Sequence, residues 1–253
     1  MKRLFLLILL FLLSGCSGPL PAEPTLPPAA ETLAAVPPTG IPTEVPTEGP
    51  TEAATETAAE PPTEAPTEPP DAEELVRIRD FIPGIREELA YASAHNFTGK
   101  QIYDFYNAYL RYGTVQKLSA ACGELEELGL GILIWDGFRP VSAQAALWEI
   151  CPDPAYVSHP VTGTRAHCRG NAVDLTLFDL QTGELLPMPT GFDDFSALAD
   201  RDYSDCGPEA AQNARLLEDI MQKHGFKPYN AEWWHFTDAD SYPVEETFQP
   251  PVG

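Results

Sequence analysis

From residue 73 onward, apolar side chains recur with periods that sort into helices and strands. Val115, Leu118, Cys122, Leu125 and Leu128 step by three and four residues, the spacing of one helical face, and Gly129 ends that helix. Leu130 to Trp135 is a short apolar run, which predicts a strand. Ser142 is placed to cap a helix running through Ile150. Ala172 to Phe178 alternates, with Val173, Leu175 and Leu177 on one face and Asp174 and Thr176 on the other. Ala210, Ala214, Leu217 and Met221 mark another helix, ended by Gly225. Tyr229 to Thr237 predicts a final strand or the end of one. Helices and strands mix without regular alternation, so the pattern predicts an α+β domain rather than a doubly wound sheet.

The periodicity is absent upstream. Leu4 to Leu13 is an unbroken apolar run behind Lys2-Arg3. A spanning helix needs roughly 20 apolar residues, so the run is too short and predicts a signal peptide over residues 1–15. Leu13-Ser14-Gly15-Cys16 resembles the lipobox of bacterial lipoproteins. The resemblance implies cleavage before Cys16, a lipid on its sulfur, and anchoring by acyl chains rather than by a spanning helix. Residues 17–72 hold 15 of the 27 prolines and ten acidic residues, with no aromatic residue and no Lys or Arg. Such a segment buries too little apolar surface to offset its ordering entropy. Residues 16–72 are therefore expected to be a lipidated cysteine followed by a disordered, extended stalk, leaving residues 73–253 as one domain.

The whole chain has a formal net charge of −23. That excess argues against nucleic acid as a partner, because phosphates demand a basic face. The domain's four cysteines, Cys122, Cys151, Cys168 and Cys206, allow three full pairings and contain no Cys-x-x-Cys pair.

Candidate chemistry lies at three places. In His167-Cys168-Arg169-Gly170-Asn171-Ala172-Val173-Asp174, a histidine precedes by seven residues an aspartate that stands on an apolar strand. A buried carboxylate needs a partner, and a metal ion is one. Gly170 allows the bend that brings imidazole and carboxylate together. Glu232-Trp233-Trp234-His235-Phe236 adds a second histidine and a second acid. His167, Asp174 and His235 are a donor set that zinc favours, with a fourth position left for water. Glu232 is then the candidate base for that water. In a flat strand Glu232 and His235 would point to opposite faces, so the pair requires a bend, a bulge or a turn. Arg139, in Trp135-Asp136-Gly137-Phe138-Arg139-Pro140, follows the first strand; it is either an oxyanion stabiliser or an ordinary arginine paired with a surface acid. His95, His159 and His224 are competing imidazoles.

Taken in order, these motifs resemble the D-alanyl-D-alanine dipeptidase family of zinc peptidases. The likeness also takes in Tyr91-Ala92, Asn96-Phe97-Thr98-Gly99-Lys100 and Phe192-Asp193-Asp194-Phe195-Ser196. It implies an α+β domain with a central antiparallel sheet flanked by helices, of the kind shared with Hedgehog and D,D-peptidase domains. It implies zinc on His167, Asp174 and His235, Glu232 as general base and then acid, and Arg139 on the oxyanion. It implies Asp193 on the substrate's amino group, with Asp194 as its rival. The family commonly has serine two residues before the first ligand histidine. Arg165 stands there in this chain, so a substrate-holding hydroxyl comes from Thr164 or is missing. The function implied is hydrolysis of D-Ala-D-Ala by an enzyme lipid-anchored at the extracytoplasmic face of the cell membrane. The alternatives are a zinc D,D-carboxypeptidase acting on peptidoglycan stem peptides and a non-catalytic wall-binding module.

Overall fold

The computed structural model describes residues 68–252. The expected signal peptide, Cys16 and nearly all of the expected stalk lie outside the described residues. Strand β1 (Leu75–Arg77) is followed by β2 (Arg86–Glu87), β3 (Tyr109–Arg111) and helix α1 (Tyr112–Glu127). Then come β4 (Leu130–Asp136), α2 (Val141–Ile150) and β5 (Ala172–Asp179). Helix α3 (Pro208–Lys223) and the strands β6 (Phe226–Tyr229) and β7 (Glu232–Asp238) complete the domain.

The five-stranded sheet runs β2-β4-β5-β7-β6, and β1 pairs with β3 in a separate antiparallel ribbon. Only the edge pair β2–β4 is parallel; the other three pairings are antiparallel. Helices α1 and α3 pack on each other and on the sheet. The expected α+β domain with its central antiparallel sheet is therefore present.

Strand β5 lies in the middle of the sheet and is buried on both faces. Val173, Leu175 and Leu177 are fully enclosed, and the polar-face residues Asp174 and Thr176 are only 3% and 1% exposed. A buried leucine contributes roughly 1.5–3 kcal/mol, and a slip of one residue would move each of these to the opposite face, where Asp174 and Thr176 now sit. The hydrophobic face of β5 thus fixes where Asp174 points.

Several expectations are corrected in detail. Ser142 does not cap α2: the N-cap is Pro140, with no side-chain cap, and Ser142 lies inside the first turn. Leu128 extends the apolar period of α1 but is 55% exposed, because the helix has already ended at Glu127 and Gly129 turns the chain away with a φ of 77°. Tyr229 to Thr237 is not one strand: the chain reverses between Tyr229 and Glu232, making a hairpin of β6 and β7. All four domain cysteines are free thiols.

Candidate metal centre

Adjacent strands place three polar residues in one row. Across the sheet, Asp136 of β4 pairs with Asp174 of β5, and Asp174 pairs with His235 of β7. His167 arrives from outside the sheet on one turn of 3-10 helix (His167–Arg169). Gly170 closes that turn at φ 72°, and a Cβ there would lie 2.5 Å from Leu75 Cδ2. The bend expected at this glycine is thus demanded by both backbone and packing.

Donor atoms of His167, Asp174 and His235 lie within 4.8 Å of one another. His167 Nδ1 lies 2.8 Å from the Gly137 carbonyl, which fixes the proton on Nδ1 and leaves Nε2 as donor atom to the site. That Nε2 stands 3.3 Å from Asp174 Oδ2 and 3.2 Å from His235 Nδ1. His235 Nδ1 is 2.9 Å from Asp174 Oδ1, while its Nε2 bonds the Thr237 hydroxyl at 3.1 Å. Each imidazole is therefore oriented through one nitrogen and turns the other toward Asp174 and the facing ring, the arrangement of metal-ligating histidines. Two imidazoles and one carboxylate converging from separate elements fit zinc in donor type and number. Burial alone would raise the pKa of Asp174, but His167 and His235 outweigh it and hold the carboxyl well below the usual range.

Glu232 Oε2 lies 3.8 Å from His235 Nδ1. The bulge that this proximity requires is present, since the β6–β7 register shifts between Pro228 and Tyr229. Burial first, then the negative charges of Asp174 and Asp193, push the Glu232 carboxyl up to about 7 against the pull of both histidines. A carboxylate with a pKa near neutrality suits proton transfer in both directions.

Arg139 is buried, and its partner is not a surface acid. Its Nε and Nη2 donate to Asp136 Oδ2 at 3.0 and 2.7 Å, and Nη1 donates to Gln144 Oε1 at 3.0 Å. Those bonds engage three of its five N–H donors and leave two for a ligand. Asp136 also accepts from Tyr103 and from the Gly137 amide. Its importance escapes a reading of the motif alone; the available signal was an acid three residues before the arginine at the end of an apolar run.

His167, Asp174, His235, Glu232, Arg139 and Gln144 line one cleft of about 400 Å³, together with Tyr91, Asp193, Thr164 and Arg165. The Tyr91 hydroxyl donates to Asp193 Oδ2 at 2.9 Å. Burial, reinforced by Asp174, raises the Asp193 carboxyl to about 7. Asp194 instead accepts from the backbone of Ser196 at 2.8 Å and is exposed. Phe192 packs on Trp135, Tyr91 and Trp234, which seats the Asp193 loop against the site. Arg165 has a φ of 50° and reaches Glu246 at 3.5 Å. None of the competing histidines joins the cluster. His224 pairs with Glu124 at 2.7 Å, and His95 lies outside the cleft. His159 lines the cleft, but its Nδ1 accepts the amides of Val161 and Thr162.

The family model described as Peptidase_M15, D-ala-D-ala dipeptidase, matches residues 71–250. A D-alanyl-D-alanine dipeptidase of Escherichia coli is 39% identical over 176 residues, covering 69% of this chain and 90% of that protein. One from Streptomyces coelicolor is 35% identical over 196 residues, 69% of this chain and 96% of that protein. One from Enterococcus faecium is 32% identical over 194 residues, 68% of this chain and 95% of that protein. The chain belongs to the D-Ala-D-Ala dipeptidase family of M15 peptidases.

Proposed function

We propose that this protein is a zinc-dependent dipeptidase that hydrolyses D-alanyl-D-alanine to two D-alanines. The observation that carries the reading is the convergence of His167 Nε2, the Asp174 carboxylate and His235 Nδ1, with Glu232 beside them. Zinc bound there supplies a Lewis acid and lowers the pKa of a bound water to about 7. Glu232 takes the proton from the attacking water and returns it to the leaving amine. Arg139, held by Asp136 and Gln144, offers its two free N–H groups to the developing oxyanion. Asp193, steadied by Tyr91, receives the substrate's ammonium group. Thr164 and Arg165 line the same cleft and supply a hydroxyl and a cation for its carboxylate.

The reading extends to location. A signal peptide over residues 1–15, lipidation at Cys16 and a stalk to residue 72 make this an anchored enzyme on the extracytoplasmic face of the cell membrane. Among the described residues no helix is long and apolar enough to cross a membrane.

The test is D-alanine release by the zinc-loaded protein from the free dipeptide and from a stem peptide ending in D-Ala-D-Ala. Release from the dipeptide is expected. Glu232→Ala is expected to retain zinc and to lose turnover by at least about 100-fold. Release from the longer peptide alone would make the enzyme a D,D-carboxypeptidase. Undiminished turnover by Glu232→Ala would remove that residue from the mechanism.

A further inference from the structure

Strand β7 does something a regular strand does not. Glu232 and His235 are three residues apart, and an unbroken pleat would send them to opposite faces. Yet they approach to 3.8 Å. The register shows how: Pro228 opposes Phe236, and the next residue of β6, Tyr229, opposes Glu232. Three residues of β7 therefore crowd between two successive positions of β6. Such a bulge leaves ladder carbonyls without their usual partners, and buried carbonyls require others.

One side chain supplies them. Arg201 Nη2 donates to the carbonyls of Glu232 at 3.0 Å and His235 at 2.9 Å. Arg201 Nε donates to the Tyr229 carbonyl at 2.9 Å. Nη1 donates to Glu218 Oε2 of α3 at 3.0 Å and to the Tyr203 hydroxyl at 3.1 Å. All five N–H donors of the guanidinium are thus engaged, three of them by the hairpin. The guanidinium lies over the Phe236 ring at 4.6 Å, its side chain is 8% exposed, and its own amide donates to the Asn230 carbonyl at 3.1 Å. The two carbonyls it bridges belong to the candidate base and to a candidate metal ligand.

We propose that Arg201 is a positioning residue: it holds the β7 bulge in the form that turns the Glu232 carboxylate onto the His235 side of the strand. The inference rests on the reading of Glu232 as the base. Lysine offers a point charge with a different donor geometry and cannot reproduce the planar fork that bridges the bulge while pairing with Glu218.

The experiment compares Arg201→Lys and Arg201→Gln in the full chain, alone and combined with Glu232→Gln, measuring zinc content, kcat and KM on D-Ala-D-Ala. For Arg201→Lys, kcat is expected to fall roughly 10- to 100-fold with zinc retained and KM within about twofold, since small misplacements of a catalytic group cost rate rather than binding. In the Glu232→Gln background the same change is expected to lower the residual rate little further. Should Arg201→Gln fail to fold, the lysine variant decides. A normal kcat in Arg201→Lys, or an equal loss in both backgrounds, would overturn the proposal. A crystal structure of zinc-loaded Arg201→Lys needs no turnover and so separates this inference from the dipeptidase reading. Glu232 displaced from His235 supports the proposal, and an unmoved Glu232 contradicts it.

Discussion

Asp193 carries a conformational and an electrostatic cost at once. Its φ is 55°, in the left-handed region that side chains other than glycine seldom adopt, and burial raises its carboxyl to about 7. Below about pH 4 the group is protonated in folded and unfolded chains alike. Between there and about 7 only the unfolded chain loses the proton, so stability falls as pH rises through that window and levels off above it. In metal-free protein, Asp193→Asn removes this dependence with little change of shape. The melting temperature of wild type relative to Asp193→Asn is therefore expected to decline from pH 4 to 7; a flat difference would show that Asp193 is not raised. At this scale the sequence revealed His167, Asp174 and His235, because chemistry-bearing residues stood out against apolar neighbours. It did not reveal Arg201, whose hairpin partners are backbone carbonyls, and for Asp136 it offered only the three-residue spacing to Arg139, not the Tyr103 hydroxyl that reaches it from far along the chain.

Local elements were legible where they follow a period or a stop signal. The apolar steps of α1 and α3 place both helices within a few residues of their bounds. The β6–β7 hairpin was not legible, since Asn230-Ala231 carries weak turn chemistry and the bulge is held by a side chain about 30 residues upstream. Gly170 is the element-level joint between the His167 turn and the Asp174 strand. Gly170→Ala adds left-handed strain of roughly 1–3 kcal/mol and an overlap with Leu75. Gly129→Ala shares the positive φ, but its Cβ would meet nothing within 4 Å. Urea denaturation is expected to show the larger loss for Gly170→Ala; equal losses would mean that Leu75 yields without cost.

For the molecule as a whole, β5 is the organising strand. Its apolar face anchors the core, and its polar face presents Asp174 to His235. Its alternation was plain in the sequence, but strand order was not, because which strands flank β5 depends on contacts far apart along the chain. Bringing His167, Asp174 and His235 together takes the 3-10 turn, β5 and β7 at once. The most direct test is anomalous diffraction at the zinc edge from crystals of the zinc-loaded protein. One peak is expected at about 2.0–2.2 Å from His167 Nε2, an Asp174 carboxylate oxygen and His235 Nδ1. Stoichiometric zinc bound anywhere else, with these three side chains unliganded, would contradict the account.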